Sequence, residues 1–158
     1  MKPTVYIETT IVSYLTAWPS RDVLRLSHEI LTREWWTTRR SAFDLFASDV
    51  VVQEASRGDP SADAERLNAL AGIPLLPLNP AVSDLAQRLE TALSLPPRAR
   101  LDAAHAAIAA VHGVQFLLTW NCTHLANAFL ADRIERACAE CGFKAPRIIT
   151  PDLLMEPI

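Results

Sequence analysis

The chain has 158 residues, 50% of them hydrophobic, and a formal net charge of −3 at neutral pH. This length fits a single domain over residues 1–158, and the apolar content excludes a disordered polypeptide. The negative charge argues against a general polyanion binder, and no apolar run approaches the ~18 residues of a membrane span, so no membrane association is expected.

The three cysteines do not form a disulfide framework. Cys138 and Cys141 have a C-x-x-C spacing, but a second pair of zinc ligands is missing. We interpret them as helix residues in a reducing cytoplasm. Glu8 interrupts the first apolar stretch and no cleavage pattern follows, so a signal peptide is not expected. The predicted location is therefore the cytoplasm.

The first third of the chain predicts two strands and two helices. Thr4–Ile7 is β-prone and forms the first predicted strand. Glu8 follows it, and then come Thr9 and Thr10, either of which can cap a short helix around Ile11–Leu15. A longer helix is predicted from Asp22 to about Arg39. Asp49–Val52 is the second predicted strand, and a helical turn that carries Glu54 comes after it.

Proline and glycine mark the elements in the middle of the chain. Asp59-Pro60 has the order of a cap followed by proline that starts a helix, and Gly72 closes that helix. A short strand is predicted between Pro74 and Leu78. Asn79-Pro80 starts the next helix, which ends before the two prolines at 96 and 97.

An alanine-rich helix beginning at Leu101 opens the last third, because alanine is the strongest helix former. His112-Gly113 stops it, and Phe116–Leu118 has the apolar composition of a strand covered on both faces. A helix from about Ala126 to Glu140 and a strand at Arg147–Ile149 follow. Strands alternating with helices predict an α/β fold with a mostly parallel sheet.

Polar side chains cluster where these strands end. Glu8 and Glu54 each follow a predicted strand, Asp102 begins a helix, and Asn121 follows the strand at Phe116–Leu118. The carboxyl ends of parallel strands share one edge, where ligands bind. We therefore expect these four residues to converge and act as catalytic residues.

Three converged carboxylates repel one another. At 4 Å each pair costs ~1 kcal/mol in water and ~4 kcal/mol near a protein surface. A hard divalent cation, Mg²⁺ or Mn²⁺, would offset this repulsion. We therefore predict a metal site formed by Glu8, Glu54 and Asp102. Without the metal, repulsion should raise the pKa of at least one carboxylate.

Four further residues are candidate substrate contacts. Thr9 follows Glu8, and His105 lies three residues after Asp102, on the same helix face. Thr119 and His124 follow the strand that precedes Asn121.

Each of these residues also has a purely structural interpretation. Glu54 could complement a helix N-terminus, and Asn121 could be the N-cap of a helix beginning at Cys122. His105 could be a satisfied histidine of the core, and His124 an exposed residue of a first helical turn. These alternatives remain open from the sequence.

Three segments together resemble the PIN-domain superfamily, and within it the VapC-type toxins of bacterial type II toxin–antitoxin systems. The segments are VYIETTIVSYL, SDVVVQEASRGD and LDAAHAAIAAVHGVQFLLTWNCTHLAN. They are spread over nearly the whole chain. The resemblance implies a three-layer α/β/α fold with a parallel sheet of about five strands. It also implies a metal-dependent endoribonuclease, a homodimer, and a cognate antitoxin that blocks the cleft.

The resemblance carries over residue by residue. Glu8 stands where the family usually has its first Asp, Glu54 matches the second acid and Asp102 the third. Asn121 stands where many members have a fourth Asp. The chain therefore departs twice, with a longer acid at position 8 and a neutral amide at position 121.

Three hypotheses follow for the function. The first is an Mg²⁺- or Mn²⁺-dependent ribonuclease that hydrolyses RNA phosphodiester bonds, as the toxin of a toxin–antitoxin pair. The second is a catalytically weak or inactive PIN scaffold that binds RNA or a protein partner, which Asn121 favours. The third, a nucleotide-binding α/β module, is disfavoured because the chain has only 4 Gly and no glycine-rich phosphate loop.

Two adjacent tryptophans bear on association. Trp35 and Trp36 cannot both face the same way on a helix. Either one lies in the core while the other contacts a partner, or both are buried. Since Trp is enriched at interfaces, this helix supports the expected homodimer.

Overall fold

The computed structural model describes residues 1–156, in which five strands form one sheet. The strands are β1 Thr4–Ile7, β2 Asp44–Ser48, β3 Leu75–Leu76, β4 Phe116–Leu118 and β5 Arg147–Ile149. Their order is β3-β2-β1-β4-β5, and all four pairings are parallel. Residues 157 and 158 of the predicted domain lie outside the described residues.

Seven α-helices accompany the sheet within this described range. They are α1 Thr9–Thr16, α2 Val23–Thr38, α3 Asp49–Ala55, α4 Pro60–Leu70, α5 Pro80–Ala92, α6 Arg100–Val111 and α7 Ala128–Glu140. α1 packs against α2, and α5 packs against both α6 and α7. The predicted α/β class with a five-strand parallel sheet is thus confirmed, and the arrangement is consistent with three α/β/α layers.

β2 lies earlier in the chain than predicted. Asp49–Val52, expected to be a strand, is the beginning of α3, and the strand before it ends at Ser48. The Ser48 hydroxyl accepts a hydrogen bond from the Val51 N–H at 3.4 Å, as an N-cap does, and Asp49 adds a favourable negative charge to the first turn. Capping therefore outweighs the β propensity of the valines. Glu54 consequently lies on a helix, not directly after a strand.

The helix after β4 begins later than predicted. Residues 122–126 form turns, and α7 starts at Ala128, where the Asn127 side chain accepts a hydrogen bond from the Phe129 N–H at 3.0 Å. Asn121 is therefore not the N-cap of a helix beginning at Cys122. The turns instead form a loop at the carboxyl edge of the sheet.

The buried hydrophobic residues form one cluster around the central strand β1. α6 contributes mainly alanines to it, including Ala103, Ala106 and Ala110. Small side chains allow a helix to approach the sheet closely, which places the beginning of α6 at the edge where β1 and β4 end. There the Glu8 N–H donates to the Leu118 carbonyl at 3.1 Å.

α2 buries a polar face together with one tryptophan. Trp35 is fully buried, whereas Trp36 is half-buried beneath the Arg40 guanidinium, which lies 4.3 Å from the ring centroid. The buried polar residues of this face are Glu29 and Thr32. The burial of Trp35 agrees with the first alternative, in which one tryptophan lies in the core. That the other tryptophan contacts a partner stays a prediction. Among the described helices, none has the length and apolar character needed to cross a membrane.

Candidate active site

Glu8 is held rigidly at the end of β1. It is the N-cap of α1, in place of the predicted Thr9 or Thr10, which are already helical, and its Oε2 accepts from the Thr10 N–H at 3.0 Å. Its Oε1 accepts from the hydroxyls of Thr10 at 2.6 Å and Thr119 at 2.5 Å. Only 4% of the residue is exposed. The carboxylate therefore has one fixed orientation, set by α1 and the loop after β4.

Glu54 reaches the same edge from α3. Its Oε1 accepts from the Thr9 hydroxyl at 2.7 Å and from His105 Nε2 at 2.5 Å. Within residues 1–156, its Oε2 makes no hydrogen bond. One oxygen is thus anchored while the other remains available to a ligand.

His105 is fully buried on α6 and links Glu54 to the interior. A carboxylate only accepts, so Nε2–H donates to Glu54, and Nδ1 lies 2.8 Å from the Tyr6 hydroxyl. That hydroxyl in turn lies 2.7 Å from Ser48 Oγ. Glu54, His105, Tyr6 and Ser48 therefore form a continuous hydrogen-bonded chain. His105 corresponds to the satisfied core histidine, and its burial leaves no free face for the predicted substrate contact.

The structure brings Glu8, Glu54 and His105 together. One potential ligand atom from each lies within 4.8 Å of the other two. Asp102, predicted as the third metal ligand, lies outside this group but near enough for its charge to raise the pKa of His105. Glu8 and Glu54 thus converge as predicted, together with a histidine that is hydrogen-bonded to Glu54.

Asp102 is paired with His124 at the mouth of the site. Asp102 Oδ2 lies 2.9 Å from His124 Nδ1, and both side chains are partly exposed. The Asn121 Oδ1 accepts from the His124 N–H at 3.0 Å, while the Asn121 N–H donates to the Thr119 hydroxyl at 2.9 Å. Asn121 therefore stabilises the turn that holds His124 against Asp102. In the described residues, Nε2 of His124 and Oδ1 of Asp102 make no hydrogen bond.

The four predicted substrate contacts differ in access. Thr119 and His105 are fully buried, and the Thr119 hydroxyl is used to hold Glu8. Thr9 is partly exposed but donates to Glu54. His124 is also partly exposed, and among the described residues its Nε2 has no hydrogen-bond partner. It is the best placed of them to contact a bound molecule.

The charges at the site are coupled. Burial raises the pKa of Glu54, but the hydrogen bond and charge of His105 lower the pKa by more than burial raises it. The net shift is therefore downward. Burial lowers the pKa of His105, yet the Glu54 hydrogen bond and the charges of Glu8, Glu54 and Asp102 give a net rise. Burial also raises the pKa of Tyr6. The rise expected for at least one carboxylate pKa does not occur at Glu54, because the hydrogen bond and charge of His105 outweigh the effect of burial.

The donor set fits a hard divalent cation. Glu54 Oε2 and Asp102 Oδ1 have unused lone pairs, and Glu8 Oε2 accepts a single N–H. Carboxylate oxygens are the ligands that Mg²⁺ and Mn²⁺ prefer. Both nitrogens of His105 already make hydrogen bonds, so it orients Glu54 and does not need to bind the ion itself.

Three residues that form the site were not among the predicted site residues, namely Tyr6, Ser48 and Thr10. A tyrosine inside a buried strand has to find a partner for its hydroxyl, which was the available signal for Tyr6. Ser48 precedes an acidic residue and an apolar run, which is typical of a helix N-cap. No pattern in the sequence marked Thr10 over Thr9 as the residue that contacts Glu8.

Comparison with known proteins gives no family assignment. No protein-family model matches the chain, and no curated protein is significantly similar to it. The resemblance to PIN domains therefore stays a prediction that rests on the three segments.

Proposed function

We propose that this protein is a metal-dependent endoribonuclease of the PIN type, which hydrolyses phosphodiester bonds of RNA. The observation that carries the proposal is the convergence of Glu8 and Glu54 with His105 at the carboxyl edge of a parallel sheet. Asp102 and His124 lie beside them as a partly exposed pair. Acidic oxygens at this position, together with the resemblance to VapC-type toxins, favour phosphodiester hydrolysis.

Glu8, Glu54 and Asp102 would hold Mg²⁺ or Mn²⁺. Such an ion supplies neutralisation of phosphate charge and activation of a water molecule. The chain's own residues then position the acids: Thr10 and Thr119 hold Glu8, and Thr9 and His105 hold Glu54. His124 Nε2 can donate a hydrogen bond to a phosphate oxygen of the substrate, with Asn121 maintaining the turn that presents it.

A cleavage assay tests this function. We expect the purified protein to cut a labelled single-stranded RNA of mixed sequence with Mn²⁺ or Mg²⁺, and EDTA to stop the reaction. Glu54→Gln should remove the activity because it eliminates a charged ligand. Glu65→Gln, on the exposed surface of α4, is the matched control and should cleave at the wild-type rate. Cleavage that survives in EDTA or in Glu54→Gln would contradict the proposal.

The alternative function is a scaffold that binds RNA or a protein without turnover. Asn121 favours it, because the residue where a fourth acid is expected has an uncharged side chain whose oxygen already accepts the His124 N–H. RNA binding without cleavage in either metal would support this second function.

The proposed partners are a second copy of the chain and a cognate antitoxin, in the cytoplasm. Exposed apolar residues on and before α2 support association, among them Trp18, Val23 and Leu24, which are 92%, 81% and 66% exposed. Light scattering at micromolar concentration should give the mass of a dimer. Leu24→Glu should shift the protein toward the monomer. Phe129 is an exposed apolar residue on a different helix, α7, and Phe129→Glu should leave the dimer unchanged. A monomeric wild type would remove the dimer proposal.

A further inference from the structure

A cluster of aromatic rings lies between α1, α2 and the loop after β4. The rings of His28 and Trp120 are stacked, with centroids 4.0 Å apart and planes 11° from parallel. Tyr14 meets both of them edge-on, at centroid distances of 5.9 Å from His28 and 6.3 Å from Trp120. These three residues are called the aromatic cluster below.

The aromatic cluster is attached directly to the acidic site. Thr10, which donates to Glu8, also accepts from the Trp120 N–H at 2.8 Å. Tyr14 lies four residues after Thr10 on the same helix, about 6 Å further along its axis and on the same face. The cluster therefore begins within one helical turn of the proposed metal ligand Glu8.

The inner part of the cluster is rigid. The Trp120 indole Nε1–H donates to the Thr32 hydroxyl at 2.7 Å, and Thr32 is fully buried. Trp120 is itself buried, and two residues of α2 hold its ring, Thr32 through the indole N–H and His28 by stacking. A ring fixed in this way can support stacking without losing much conformational entropy when a ligand binds.

The outer rim of the cluster is accessible and basic. Tyr14 and His28 are half-buried, while Arg25 is exposed, with its guanidinium 5.4 Å from the centroid of the Tyr14 ring. Arg25 and the neighbouring Arg21 form no ion pair with any described carboxylate. Aromatic faces combined with free guanidinium groups are typical of surfaces that bind single-stranded nucleic acid.

We propose that Tyr14, His28 and Arg25 form a subsite for an unpaired base of single-stranded RNA and its phosphate, next to the scissile bond. The base stacks against the rim of the aromatic cluster, and Arg25 pairs with the phosphate. This inference rests on the proposed ribonuclease function and specifies its substrate as unpaired RNA. Since every base has a π-face, the subsite favours single strands with little preference for sequence.

Fluorescence anisotropy with a labelled single-stranded RNA tests the subsite directly. The full-length protein is titrated in Ca²⁺ buffer, since Ca²⁺ also takes oxygen ligands, and each variant is compared with wild type. Arg25→Gln and Tyr14→Leu should each weaken binding about tenfold, because each variant removes one contact with the bound strand, a charge pair or a stacked ring. Tyr14→Phe keeps the ring and should bind like wild type. Arg136→Gln, which removes an exposed arginine on α7, should also leave binding unchanged.

The outcomes separate the subsite from the catalytic function. Wild-type binding by both Arg25→Gln and Tyr14→Leu overturns the subsite, even if the wild-type enzyme cleaves RNA. Weakened binding by these variants supports it, even if the wild type fails to cleave. Duplex RNA of the same sequence should bind more weakly than the single strand and be insensitive to Tyr14→Leu; a duplex preference overturns the proposal. Circular dichroism checks folding, and Arg25→Gln decides the result if Tyr14→Leu is unfolded, since Arg25 is exposed.

Discussion

Asp102→Asn is expected to reduce RNA cleavage by at least about a hundredfold. Loss of a residue that only hydrogen-bonds to a metal ligand typically lowers activity about 10–100-fold, and loss of a charged ligand itself should lower it more. The amide keeps the size of the side chain and an oxygen that can still face His124, so the change is mainly one of charge. Initial rates of cleavage with Mn²⁺ measure the effect. Calorimetric titration should show Mn²⁺ binding weakened in parallel.

Asp132→Asn is the matched control for this prediction, since Asp132 is an exposed acid on α7. It should retain both wild-type cleavage and wild-type Mn²⁺ affinity. Equal Mn²⁺ binding by wild type and Asp102→Asn would remove Asp102 from the site and leave Glu8 and Glu54 as its acids.

Variants of Asn121 separate positioning from metal binding. Asn121→Ala should lower cleavage modestly, because the turn that holds His124 loses its side-chain hydrogen bond. Asn121→Asp should retain or increase cleavage, since an additional charged oxygen would then lie near the acids. A wild type that is inert in both metals, with an active Asn121→Asp, would instead establish the binding scaffold.

His105→Ala is expected to lower the free energy of unfolding by roughly 3–5 kcal/mol, the cost of removing one partner of a buried charged pair. Glu54 would lose its shortest hydrogen bond, and the Tyr6 hydroxyl would lose one of its two hydrogen-bond partners. Tyr6→Phe should cost less, about 1–3 kcal/mol, because it removes an uncharged hydroxyl and leaves the Glu54–His105 pair in place. Urea denaturation measures both.

His112→Ala is a suitable control, because His112 donates to the Pro77 carbonyl on a partly exposed surface. Its loss should be worth ~1 kcal/mol. A cost for His105→Ala as small as that of His112→Ala would show that His105 is not paired with Glu54 in solution.

The same pair makes stability depend on pH. The raised pKa of His105 gives stabilisation that is complete below its usual value of 6.5 and is lost as the pH rises through the folded-state pKa. The lowered pKa of Glu54 gives stabilisation that is complete above its usual value of 4.5 and is lost as the pH falls through the folded-state pKa. The pair therefore stabilises the fold most between these two values.

The free energies of unfolding of wild type and Glu54→Gln, measured in EDTA at different pH values, check the direction of this pH dependence. The stability advantage of the wild type should be larger between pH 4.5 and pH 6.5 than at a pH above the folded-state pKa of His105, where the stabilisation from its charge is lost. An advantage that is the same at both pH values would show that His105 does not carry the compensating charge.

The strands and helices that follow strong local signals were predictable. β1, β4 and β5 were placed at their observed residues, because each is a β-prone or apolar run bounded by turn or helix signals. β2 was misplaced because Asp49–Val52 contains three valines, whose β propensity is overridden by the Ser48 cap and by burial of Val50 and Val51 on a helix face. Local propensity cannot resolve such a competition without the tertiary contacts.

The position of Glu8 was predictable from the sequence, but the contacts among the residues of the site were not. Glu8 could be located because it directly follows β1. His105 could be placed on the face of Asp102, yet its insertion between Glu54 and Tyr6 depends on how closely the alanines of α6 approach the sheet. That distance is a property of packing in three dimensions and leaves no periodic signal in the chain.

The central position of β1 has a consequence for biosynthesis. This first strand is paired on one side with β4, and the Thr4 N–H bonds to a side chain 111 positions later. Contacts of such long range form late, and domains emerge from the ribosome from the N-terminus onward. The nascent chain therefore cannot complete its central sheet, or gather Glu8, Glu54 and Asp102, until the last third has emerged. Any RNA-cleaving capacity would thus be withheld from a ribosome-bound chain and acquired only near its release.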